Sequence, residues 1–261
     1  GIEASTVLPR NFKPAKRYDL IRLGNPNDGG YLVCRASVAE ARTLLSFGIN
    51  DDWSFDKAFC ASNPVPVEAF DHTISTRLFG VRAAQSMAAA LVFFWMSPRS
   101  VIHAWRHART FVSYLLFFRG ERKLNRIPIG GAEAVSMSLG DVMRKTDQRP
   151  VFIKCDIEGA EYDLFADIVA HAGDISGLVM EFHDVDVHLA EMSAFIDRFP
   201  LELVHIHPNN CGGTGEDGNP KVLELTFSRH PTVVGKFPVL PHPCDAANGA
   251  ALQEPALIFE T

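Results

Sequence analysis

Three carboxylates fall within six residues of VFIKCDIEGAE, residues 151–161. Asp156 closes an apolar, β-branched run that reads as a buried parallel strand, and Glu158 and Glu161 follow it. Open α/β sheets bind ligands at the carboxyl ends of their strands, so Asp156 is a candidate base, metal ligand or ligand anchor. Glu161 falls where the first turn of a helix favours an acid. A second cluster, MEFHDVDVH (180–188), ends another strand-like run, with Glu181 and His183 on one face. If the two strands are neighbours, Asp156 and His183 meet over one cleft, as an acid–base pair or around a hard divalent cation. His207 shares a face of its strand with His205, so the candidate metal ligands are Asp156, His183 and His207.

Two further strand ends carry suitable residues. In SFGINDDWSFD (46–56), Gly48 would let a ligand approach the backbone, and Asn50 and Asp51 suit a tight turn. The GxGxxG dinucleotide fingerprint is absent. Asp71 ends the next strand about 20 residues later, the spacing at which a carboxylate binds ribose hydroxyls. The sequence has no GxSxG elbow, HExxH or phosphate-binding loop. Cys155, within the apolar run, reads as inert core.

The positioning elements alternate. Strand-like runs at 43–49, 66–73, 151–157, 177–184, 201–208 and 221–229 are separated by helix-like runs at 53–62, 161–173 and 187–199. In the last of these, Leu189, Met192, Phe195, Ile196 and Phe199 repeat at helical spacing. Such alternation implies an α/β fold with a mostly parallel sheet and helices on both faces. The turn-rich loop 209–220 is too short for a crossover helix, so the final two strands are expected to form an antiparallel hairpin.

Residues 77–126 break the rhythm. They carry nine Lys/Arg and one acid, Glu121, a net +8 against −14 for the remainder. Apolar runs at 88–96 and 111–118 flank a basic stretch, and neither reaches the ~20 residues of a membrane span. One reading is an inserted helical pair that covers the site. The other is a basic amphipathic surface for anionic lipid or a lipid-carried substrate, and hence peripheral membrane contact.

The overall charge of −6 argues against a nucleic-acid binder. Five widely spaced cysteines without a CxxC pair suggest reduced thiols in a cytoplasmic protein, and no secretory signal is read at the start. The 261 residues are expected to form one domain, 1–261, interrupted by a helical insertion at about 74–130.

Several blocks together resemble the FkbM-type methyltransferases, S-adenosylmethionine-dependent enzymes of class I. They are NDGGYLVC (27–34), LLSFGINDDWSFDKAF (44–59), EAFDHT (68–73), FIKCDIEGAEYDLF (152–165), MEFHDV (180–185), HIHPNNCG (205–212) and the tail LPHPCDAAN (240–248). The resemblance implies a Rossmann-like, seven-stranded, mostly parallel sheet with an antiparallel last hairpin. It implies S-adenosylmethionine bound by Asp28, Gly30, Phe47, Gly48, Ile49, Asn50, Asp71, His72 and Asp156, with Asp71 on the ribose and Asp156 beside the methyl group. It implies that NDGGYLVC closes over the site. The reaction it implies is O-methylation of a sugar, glycan or related natural product. Asp156, Glu158 and His183 are the candidate catalytic groups, with a divalent metal as an open alternative. Two competing readings are a metal-assisted hydrolase built on Asp156 and His183, and an inactive cofactor-binding module that recruits partners.

Overall fold

A computed structural model of the chain describes residues 7–73, 80–81, 84–86, 88, 98–130, 136–215 and 218–261. A hairpin, β1 (Leu20–Gly24) and β2 (Gly30–Cys34), precedes the main sheet. Seven strands form that sheet: β3 (Thr43–Phe47), β4 (Val67–Phe70), β5 (Arg122–Asn125), β6 (Val151–Cys155), β7 (Ile175–Phe182), β8 (Glu202–Pro208) and β9 (Leu223–Ser228). Their spatial order is β8-β9-β7-β6-β3-β4-β5. Strands β3 to β7 pair in parallel, and β9 alone runs against its neighbours β7 and β8. This is the Rossmann-like sheet with a reversed final hairpin that the sequence led us to expect.

Strands β3, β6 and β7 are buried on both faces, which is why they read as continuous apolar runs. One face packs Leu44, Phe152 and Val179 against α1 (Arg35–Glu40), α2 (Ser54–Ser62) and the β1–β2 hairpin. The other packs Leu45, Ile153 and Met180 against α4 (Leu139–Lys145), α5 (Phe165–Ala170) and α6 (Val185–Arg198). The periodic residues Met192, Phe195 and Phe199 of α6 lie in this second core, with Leu189 and Ile196 packed at its margin. Each wholly buried Phe contributes about 2 kcal/mol by leaving water. Ser138 caps α4 by accepting from the Asp141 amide (3.0 Å).

Two departures have physical causes. The seventh strand, β5, lies inside the segment expected to be a helical insertion. Its sequence, Arg-Lys-Leu-Asn, carries no alternating apolar pattern because it is an edge strand, where charge is tolerated. The run at 161–173 is not one helix: α5 is flanked by 3-10 turns at Glu161–Leu164 and Ala172–Asp174. Of the expected helical pair, α3 (Pro98–Phe117) is present, while the run at 88–96 lies almost wholly outside the described residues. Helix α3 docks through Tyr114 and Phe117 near Trp53, whose ring meets Tyr114 edge-on at 5.9 Å.

The constraint that places the site is the crossing of two strand ends. Gly48 has φ +69°, and a Cβ there would lie 1.6 Å from the Asp156 carbonyl oxygen. Glycine is required by this backbone approach, not only by a ligand. Gly159 also has positive φ, +102°, but a Cβ there would meet nothing within 4 Å. Gly48→Ala is therefore expected to cost more than about 3 kcal/mol of unfolding free energy, and Gly159→Ala about 1 kcal/mol. Urea titrations check this; equal losses would contradict the close packing.

Candidate active site

A cleft of about 410 Å³ opens at the carboxyl ends of β3, β4 and β6. Strand order reverses here, with β4 on one side of β3 and β6 on the other, which is where open α/β sheets hold ligands. Its walls are the Gly48–Asn50 turn, Phe70 to Thr73, Pro128 to Gly130, and Asp156 to Glu158 with Ala160.

The turn after β3 is tied to both neighbours. The Gly48 amide donates to Phe70 O, and the Asp156 amide donates to Phe47 O, both at 3.0 Å. Lys154 Nζ donates to Gly48 O (2.7 Å) and lies 3.5 Å from Asp156 Oδ2. Asn50, with φ +45°, donates its amide to Asp71 Oδ2 (2.7 Å). Asp71 Oδ1 accepts from the Thr73 amide (2.7 Å) and hydroxyl (2.6 Å). A carboxylate offers about four accepting positions. Asp71 thus braces two loops and has one accepting position left over.

Beside the cleft a polar row crosses the sheet. Glu181 of β7 faces Glu224 of β9, and Glu224 faces His207 of β8. Tyr31, from the hairpin, donates to Glu181 Oε2 (3.1 Å) and lies 3.3 Å from Asp156 Oδ2. Asn209 donates to Glu181 Oε1 (3.0 Å), and Asn248 to Glu224 Oε1 (2.8 Å). Burial, reinforced for Glu181 by Asp156 and for Glu224 by Glu181, pushes both carboxyls up from their ordinary range. Burial and then Asp156 and Glu181 push the Tyr31 phenol up as well, so it remains a donor.

His183 has a distinct state. Its Nδ1 donates to Glu161 Oε1 (2.7 Å), and its Nε2 lies 3.7 Å from Glu181 Oε1. Burial alone would lower its pKa, but the hydrogen bond and charge of Glu161, with Glu181 and Asp156, raise it to about 9. His183 is therefore an imidazolium near neutral pH, an acid or a cation rather than a resting base. Glu161 is wholly buried and also accepts from the Gly159 amide (2.8 Å). It locks the Asp156–Gly159 loop to the end of β7.

Of the residues expected from the sequence, Gly48, Asn50, Asp71, His72, Asp156 and Glu158 line the cleft. Phe47 and Ile49 do not; their side chains are buried, one in each core. Asp28 and Gly30 do not line it either. Gly30 serves the tight hairpin, where a Cβ would meet Asn25 O at 1.9 Å, and Asp28 accepts from Asn248 (3.2 Å). From their block only Tyr31 approaches the site, with its hydroxyl 3.3 Å from Asp156 Oδ2. His207 does not join Asp156 and His183, because β9 stands between their strands; the third member of that cluster is Glu181. Tyr31, Lys154 and Glu224 carried no signal in spacing, since only the register brings them in. Glu161 was visible as an acid but gave no sign of its pairing.

No family model matches the chain, and no curated protein does. Among solved structures it is similar to a precorrin-6Y C5,15-methyltransferase from Geobacter metallireducens, at 11% identity over 75% of this chain and 84% of that one, with TM-score 0.40. An rRNA methylase from Streptococcus thermophilus aligns at 10% identity over 75% and 93%, TM-score 0.36. A geranyl diphosphate methyltransferase in complex with sinefungin aligns at 9% identity over 74% and 73%, TM-score 0.36. The strand order above is read from the chain's own hydrogen-bond register and does not depend on these likenesses.

The His183 state is directly measurable. An NMR titration is expected to place its pKa near 9, and Glu161→Gln to lower it. Because the folded value lies above the unfolded one, its contribution to stability is complete below about pH 6.5 and fades as pH rises through about 9. A wild-type midpoint near 6.5 would contradict the pairing.

Proposed function

We propose that the chain is an S-adenosylmethionine-dependent methyltransferase of FkbM type that transfers a methyl group to a hydroxyl of a sugar, glycan or related natural product. The observation that carries this reading is the charge of the cleft. Asp71, Asp156 and Glu158 line it, and no Lys or Arg does so among the described residues. Such a lining disfavours the phosphates of a nucleotide and favours a nucleoside that bears a cation, as a sulfonium does. Phe70, Ile129 and Ile157 supply apolar walls for a base, Asp71 an acceptor for a ribose hydroxyl, and Asp156 a carboxylate at the far end.

S-adenosylmethionine held there would supply an electrophilic methyl carbon to the acceptor oxygen, with the electron pair of the broken S–C bond left on sulfur. The protein's part is to place the acceptor oxygen about 3 Å from that carbon and take its proton. Asp156 has the position for the base, because it borders the cleft and is partly exposed. Lys154 and Tyr31 hold its carboxylate, and the His183 imidazolium balances the negative charge gathered beside it. Glu158, exposed at the rim with φ +52°, shapes the loop. A neutral polyhydroxy acceptor suits a neighbourhood rich in carboxylates better than an anion does.

Helix α3 bears on where the acceptor is met. Ile102, Trp105, Val112 and Leu116 form one exposed stripe, at 67, 66, 52 and 56%, beside exposed Arg109. No described helix is long and apolar enough to cross a membrane. A basic segment with such a stripe fits the surface of an anionic bilayer that carries a lipid-linked acceptor.

Calorimetry with S-adenosylmethionine tests the cofactor assignment. Asp71→Ala is expected to weaken binding about 10-fold. Asp156→Asn is expected to bind within about 3-fold of wild type yet lose about 100-fold or more in turnover once an acceptor is found. Absence of heat with the wild type removes the methyl-transfer reading, and full turnover by Asp156→Asn removes the base. For the membrane reading, co-sedimentation with phosphatidylglycerol vesicles is expected at low salt, to fall with added salt and to weaken in Trp105→Glu. No binding at low salt would leave α3 as a lid.

A further inference from the structure

The tail of the chain builds a second polar site on the outer strands, away from the cleft. His205 and His207 project from one face of β8, and each is 3% exposed. The loop at 240–248 returns over them and inserts Asp245, whose side chain is 5% exposed. His205 Nε2 lies 2.9 Å from Asp245 Oδ1, and His207 Nδ1 lies 3.7 Å from the same oxygen. One ligand atom from each of the three residues lies within 4.8 Å of the others.

An ordinary histidine–aspartate pair accounts for His205 but not for His207. The hydrogen-bond network settles the tautomer of His207. Asn248 turns its amide nitrogen toward two acids, Glu224 (2.8 Å) and Asp28 (3.2 Å). Its amide oxygen therefore faces His207 Nε2 at 3.2 Å, and Nε2 must carry the hydrogen that binds it. Nδ1 is left with a bare lone pair, buried and without a hydrogen-bond partner. That lone pair confronts the Asp245 carboxylate, one acceptor against another. The contact is unfavourable unless a cation lies between them.

We propose that His205 Nε2, His207 Nδ1 and Asp245 Oδ1 bind a divalent transition-metal ion, zinc first among them. Tetrahedral bonds of about 2.0–2.1 Å put ligand atoms about 3.4 Å apart, and the separations of 2.9 and 3.7 Å bracket that edge. Two imidazoles and one carboxylate suit zinc, and exclude the all-oxygen preference of calcium or magnesium. The hydrogen bond from His207 Nε2 to Asn248 is the outer partner that metal-bound histidines ordinarily have. His205 binds as the neutral tautomer with its hydrogen on Nδ1, which leaves the Nε2 lone pair for the ion. A cavity of about 310 Å³ is lined by two of the three ligands, His207 and Asp245, and leaves room beside them for a fourth. The ion ties the tail to β8, and through Asn248 and Glu224 it stiffens the polar row beside the transfer cleft. The proposal does not depend on methyl transfer.

Cobalt(II) titrated into untagged, metal-free full-length chain tests it. The expected result is one ion per chain with the intense visible bands of a four-coordinate site, displaced by zinc, and a zinc-dependent rise in Tm of about 5 °C. His207→Gln with Asp245→Asn is expected to lose about 100-fold or more in affinity. His183→Gln, which alters the other carboxylate–histidine cluster, is expected to bind as wild type does. Uptake below about one ion per ten chains by the wild type overturns the proposal. So does undiminished uptake by the double variant, or loss of uptake in a folded His183→Gln. Should the double variant fail to fold, the wild-type stoichiometry and cobalt spectrum decide, a spectrum of six-coordinate cobalt counting against the site.

Discussion

The structure turns on the approach of two backbone segments, the end of β3 at Gly48 and the end of β6 at Asp156. A side chain at Gly48 would overlap the Asp156 carbonyl, so only glycine permits the two strand ends to converge. Lys154 then spans the junction, donating to Gly48 O while standing beside the Asp156 carboxylate. The Tyr31 ring lies over the Lys154 ammonium at 5.8 Å, and its hydroxyl reaches Asp156 and Glu181. Burying a lysine is costly unless its charge is met, and here a carbonyl, a carboxylate and an aromatic face meet it. The same contacts that close the junction therefore orient the carboxylate at the mouth of the cleft.

Negative charge is the second organising constraint. Asp156, Glu181, Glu224 and the histidines His183 and His207 occupy one end of the sheet under cover of the hairpin and the tail. Like charges so placed repel and are desolvated together. The fold answers with protons retained on buried carboxyls, with the His183 imidazolium, and with amide donors from Asn209 and Asn248. A cation at the cleft and a cation at the tail site would each relieve part of that repulsion. Both functional inferences thus follow from one electrostatic condition.

The alternation of strands and helices, the reversed last hairpin and the strand-end positions of Asp71 and Asp156 were legible in the sequence, because each follows from local periodicity or from a residue type at a strand terminus. The strand β5 was not, since Arg122, Lys123 and Asn125 are polar and an edge strand needs only one covered face. The helix expected at 161–173 breaks because Glu161 turns inward to His183 instead of capping a regular first turn. Phe47, Ile49, Asp28 and Gly30 neighbour the turns that form the cleft but do not line it. Sequence adjacency does not tell which way a side chain points. The pairing of Glu181 with Glu224, and of His205 with Asp245, depends on register and on a loop that returns from 40 residues away. No local pattern carries that information.

The most direct measurement of the central claim is a crystal structure of the chain with S-adenosylhomocysteine. The account predicts density between Gly48 and Asp156, with the ribose hydroxyls on Asp71 and the sulfur turned toward the Asp156 carboxylate. A nucleoside bound with its sulfur facing away from Asp156, or an empty cleft at saturating ligand, would contradict it.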